Sequence, residues 1–175
     1  YTTDDGAPQL SWIAVMKNNK PITATAQVDA NLALLGLEIS GISAKGTQTL
    51  NLQGHTVTGR NQIRLGEHAI VNLEGGTLQT MRWIDLLEGA LLSGNGTVDG
   101  TLYHDGNMTV SGKKGINVTD DYHAYDTASL SVALGGKSSG KLVVTQNAML
   151  AGTLALKVPS GLKLKSGDTF TILTA

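Results

Sequence analysis

Three arginines stand where an extended chain would set them on one surface. Arg60 and Arg64 flank Asn61 and Gln62, and Arg82–Trp83 follows at the distance of one further repeat. Alternate residues of a strand share a face, so Arg60, Gln62 and Arg64 are expected to point outward while Ile63 and Leu65 point inward. Stacked turns would extend that face into a basic strip with amides beside it. Guanidinium groups grip carboxylates and sulfates through paired N–H donors, so the chemistry implied is recognition of an acidic polysaccharide. A second set is aromatic. Tyr103–His104 and Tyr122–His123 stand beside Asp105 and Asp121, with Tyr125 close behind. Ring faces stack on sugars, and His or Asp can bond to their hydroxyls. The candidate ligand-binding residues are therefore Arg60, Gln62, Arg64, Arg82, Trp83, Tyr103, His104, Tyr122, His123 and Tyr125. The plainer alternatives are a solvated strand face for the arginines and a packing role for Tyr122. Trp12, in the apolar run Leu10 to Val15, reads as core of an N-terminal cap.

Signals for catalysis are weaker. Asp4–Asp5 and Asp120–Asp121 are adjacent carboxylates, and neighbours on a strand diverge unless a turn brings them together. No nucleophile-elbow pattern places a serine. The expectation is a protein that is not an enzyme. His55, His68, His104 and His123 lack metal-site spacing, although adjacent turns could bring His55 and His68 together. Asp99, Asp105, Asp120, Asp121 and Asp126 could hold a structural calcium ion, which takes oxygen ligands, but the EF-hand spacing is missing. No cofactor is expected.

The elements that must position these residues are strands. The chain has 175 residues with 22 Gly, 3 Pro and no Cys. That length suits one domain with a core of its own. The lack of Cys excludes thiol chemistry and cysteine-ligated metals. A net charge of -1 argues against nucleic acid as a partner, and no apolar run is long enough for membrane insertion. Short alternating runs recur from Thr47 onward: Thr49–Leu52, His55–Thr58, Gln62–Leu65, Ala69–Leu73 and Thr77–Gln79. Most end in Gly, which turns corners without steric cost. Residues 28–38 carry the strongest helical composition, yet Leu35, Leu37 and Ile39 alternate as a strand does. Loosely repeated short apolar units with Gly, Asn and Thr resemble a β-solenoid, in which each turn covers its neighbour's edge. The fold expected is all-β: a right-handed parallel β-helix with a sheet-like C-terminal cap. A β-sandwich is the alternative, disfavoured by a single Phe. Residues 1–46 would be an N-terminal cap or first turns, 47–112 the β-helix turns, and 113–175 a C-terminal β cap with longer strands, all one domain.

The stretch Ala90 to Gly100, ALLSGNGTVDG, resembles the repeat of autotransporter-associated β-strand proteins. The tail, from Leu142–Thr145 through Ala151–Leu156 to Ser166–Ala175, is similar to their common ending. The likeness runs over about residues 47–175 and rests on turn and core residues. It implies a passenger-like β-helix, secreted or displayed on a bacterial cell surface. Together with a start at Tyr1, it leads to the expectation of a piece covalently part of a longer chain. The function expected is a non-catalytic carbohydrate-binding module whose partner is a polysaccharide, anionic by the arginine argument. A passenger or adhesin stalk without a ligand is the alternative, and a polysaccharide lyase or hydrolase comes third.

Overall fold

A computed structural model describes residues 12–18, 20–43, 45–135 and 139–175. The described chain is all strand, turn and loop, with no helix, and every strand pairing is parallel. It coils as a β-solenoid with three faces. The first face carries Leu32–Leu34, Thr56–Gly59, Ile116–Val118, Leu142–Val144 and Leu173–Thr174. The second carries Ile13–Lys17, Gly36–Ser40, Gln62–Leu65, Tyr122–Ala124 and Ala148–Met149. Two long strands, Thr77–Leu86 and Gly96–His104, bend across the corner and serve both faces, which joins them into one twelve-stranded sheet. The third face is a seven-stranded sheet running from Ala24–Gln27 to Thr153–Lys157.

The inward files explain why such short strands hold. Register aligns Leu37, Ile63, Ile84, Leu102 and Tyr122 in one column of the second face, and Ile39, Leu65, Leu86, His104 and Ala124 in the next. All but Ala124 are buried. Each fully buried Leu or Ile contributes about 1.5–3 kcal/mol of transfer free energy. The corners recur too. Gln53–Gly54 and Glu74–Gly75 take the same pair of left-handed conformations, with φ of 49° and 83°, then 49° and 84°.

Outward side chains bond along the stack. On the first face Thr58 donates to Gln79 (2.8 Å), Gln79 to Asp99 (2.6 Å), and Thr119 to Asp99 (2.6 Å). On the third, Asn72 donates to Asn51 (2.8 Å) and accepts from Ser93. Asn72→Ala breaks two rungs on a half-buried face. It is expected to cost about 1–2 kcal/mol, read as a lower urea midpoint at unchanged slope.

Residues 28–38 follow their alternation rather than their composition and form the strand Leu32–Leu34 and the start of Gly36–Ser40. Leu34 and Leu37 are buried on two different faces, so tertiary burial decides against the helical composition. One expectation needs correcting, that the strands of the last third lengthen. Ala148–Met149 and Thr153–Lys157 are separated by a corner at Gly152, whose φ is 81°. Residues 113–175 continue the same three faces in parallel register. Their last turn ends the stack, which leaves Leu150, Leu154 and Leu156 exposed.

Candidate functional site

The second face and its corner with the first hold most of the candidate residues. Trp83 lies one turn beyond Gln62, and Asp85 one turn beyond Arg64. One outward file of this face therefore reads Glu38, Arg64, Asp85, Tyr103, His123 and Met149. Its Glu38 is ion-paired with Lys17 of the preceding turn at 2.5 Å. Arg64 thus sits between two carboxylate-bearing neighbours, and the file alternates in sign where a basic strip was expected. Gln62 donates its amide to Asp85. Arg60 and Arg82 stand at the corner, both exposed, and the Arg82 guanidinium lies 5.8 Å from the centre of the Trp83 ring.

The aromatic candidates divide. Tyr103 and His123 face outward on successive turns and stack, with centroids 5.1 Å apart and planes 21° apart. Tyr125 lies 6.3 Å from Tyr103. Because these rings face one another along the axis, they present mainly edges to solvent. His104 and Tyr122 are not surface residues. Both point into the core, essentially without exposure, so neither can touch a ligand outside the stack. The Nε2 of His104 meets the Gly106 carbonyl at 3.1 Å, and its Nδ1 meets the Tyr122 hydroxyl at 2.6 Å. A carbonyl only accepts, so Nε2 carries the proton and Tyr122 donates to Nδ1. Burial lowers the His104 pKa to about 4 and raises that of Tyr122, which keeps both neutral.

The acidic candidates are dispersed. Asp99 belongs to the ladder of the first face. Asp120 accepts from Thr101 of the preceding turn (3.1 Å), whereas Asp121 accepts from the backbone and side-chain nitrogens of Asn147 in the following turn (3.0 Å each). Those two bonds hold the Asp121 carboxyl below its usual pKa. The adjacent pair therefore diverges. Asp105 accepts from Thr127 (2.9 Å) at the corner of the second and third faces. There a groove of about 560 Å³ is lined by Glu67, Glu88, Asp105 and Asn107. Among the described residues no three His, Asp or Glu side chains gather as a metal site. His55 and His68 fall at different corners. Asp4–Asp5 lies outside the described residues.

Sequence reasoning missed the acidic register neighbours Glu38 and Asp85. Only the register shows them, because Glu38 lies a full turn before Arg64 and Asp85 a full turn after it. No family model, curated protein or solved structure matches this chain.

Proposed function

We propose that this chain is a rigid, non-enzymatic passenger or stalk segment of a secreted or cell-surface protein. The observation that carries this reading is the engagement of its outward polar side chains with the turns above and below. Thr58, Gln79, Asp99 and Thr119 form one such ladder, Asn51, Asn72 and Ser93 another, and Tyr103 with His123 a third. Groups bonded to one another in this way add stiffness along the axis and leave few sites for a ligand. The likeness of residues 90–100 and of the tail to autotransporter-associated repeats supports the location. Turn excision tests it. Deleting residues 70–90 joins Ala69 to Leu91, which holds the register position of Ile70 one turn on. The shortened chain is expected to keep its β circular dichroism and a single cooperative melt at a lower temperature, because stability in such stacks sums over neighbouring turns. A chain that no longer folds would overturn the idea of interchangeable turns.

One observation favours a second reading, a non-catalytic carbohydrate-binding module. Arg60 and Arg82 remain exposed beside Trp83, and no ladder contact engages either guanidinium apart from the indole under Arg82.

A further inference from the structure

We propose that the corner bearing Arg60 and Arg82 binds the carboxylate or sulfate groups of an acidic polysaccharide, with Trp83 against the sugar ring. This rests on the second reading above and assigns its site. Register pairs Gly59 with Thr80 and Gln62 with Trp83. The two residues between, Arg60 and Asn61, therefore lie beside Met81 and Arg82 on the next turn. Neighbouring strands are about 4.8 Å apart, so both guanidiniums can reach one anionic group or two successive ones. Among the described residues, no carboxylate comes within 4.0 Å of either. Arg64 likewise has no carboxylate within 4.0 Å, but unlike them it has Glu38 and Asp85 as its register neighbours on the turns before and after.

Two further features shape the corner. The Arg82 guanidinium is held near the Trp83 ring, which limits its motion and leaves N–H donors free to meet an anion. The next turn carries Gly100 at the corner, with no side chain, before Asp120. A gap therefore separates the two cations from the nearest corner acid. Trp83 is half-buried, with Gln62 and Thr101 as its file neighbours, so no second ring covers it as His123 covers Tyr103. An indole beside paired guanidiniums suits a ring that carries an acid group. Two cations on a chain of net charge -1 make a poor match for a nucleic-acid backbone, which needs a broader positive surface.

Affinity electrophoresis of the folded chain tests the assignment, with polygalacturonate, chondroitin sulfate and a neutral β-glucan cast in separate gels. Retardation by one or both anionic polymers is expected, weakening as salt rises, and the two polymers distinguish carboxylate from sulfate. The double variant Arg60→Ala with Arg82→Ala should lose roughly tenfold in affinity, while Arg64→Ala keeps wild-type retardation. Unchanged thermal melts would show that the exposed substitutions leave the fold intact. Wild-type retardation of the double variant overturns the corner but leaves carbohydrate binding standing. So does binding confined to the neutral glucan. No retardation in any gel overturns both. Equal retention on single-stranded DNA overturns a polysaccharide as the ligand.

Discussion

Gly115→Ala is expected to cost roughly 3–5 kcal/mol and to unfold a marginal chain near body temperature. Two penalties coincide there. Gly115 has φ of 66°, where an L side chain costs about 1–2 kcal/mol. Its missing Cβ would lie 1.9 Å from the Lys141 carbonyl oxygen and 2.8 Å from the Lys141 nitrogen. Those atoms are backbone of the next turn, and Ile116 donates to the same carbonyl at 3.0 Å. A methyl group could enter only by prising two hydrogen-bonded turns apart, and a rotamer change cannot relieve that. Gly54→Ala separates the two penalties. It shares the left-handed conformation, with φ of 83°, but a Cβ there meets nothing within 4 Å. It should cost only about 1–2 kcal/mol. Urea melts of the two variants check the difference, and equal costs would show that close approach between turns contributes nothing.

The same closeness of turns explains what was legible in the sequence. Gly after short alternating runs marked the corners, and the inward pairs Ile63–Leu65 and Val71–Leu73 fell where alternation set them. The strand Gln62–Leu65 matches the sequence reading residue for residue, and Trp83 lies one turn beyond it. Phase between distant turns was not legible. The two Tyr–His pairs look equivalent, but register aligns Tyr103 with His123 and Leu102 with Tyr122. The intervening turn is one residue longer than the spacing of the pairs. The second pair is thereby inverted, with Tyr122 inside and His123 outside. A slip of one residue reverses every side chain of a strand, so composition cannot say which ring faces a ligand. The charge pattern of the arginine face was hidden in the same way, since only strand pairing sets Glu38 and Asp85 on either side of Arg64.

That inversion places a titratable pair inside the stack, and acid should expose it. Stability is expected to fall by up to about 3 kcal/mol as the pH drops from 6.5 to 4. In the unfolded chain His104 takes a proton near its ordinary pKa of 6.5, whereas in the folded chain burial lowers that pKa to about 4. Above pH 6.5 the ring is neutral in both states and contributes no slope. Between the two values the unfolded state binds the extra proton, so stability decreases as the pH falls. The backbone bond to Gly106 and the charge of Asp105 oppose the shift, but burial outweighs them. A protonated ring would also lose its acceptor at Nδ1, leaving the Tyr122 hydroxyl facing a donor in the core. Asp121 acts in a different window. Its pKa is depressed, so its contribution is lost only as the pH falls below the usual carboxylate range. Urea midpoints measured from pH 7.5 to 4.5 isolate the histidine. The control is His104→Leu with Tyr122→Phe. It places leucine below Leu86 in the same inward file and leaves no hydroxyl unpaired. Replacing both partners by apolar groups of similar shape costs little at neutral pH. The double variant should hold its midpoint across that range while the wild type declines, and parallel declines would assign the acid sensitivity to other groups.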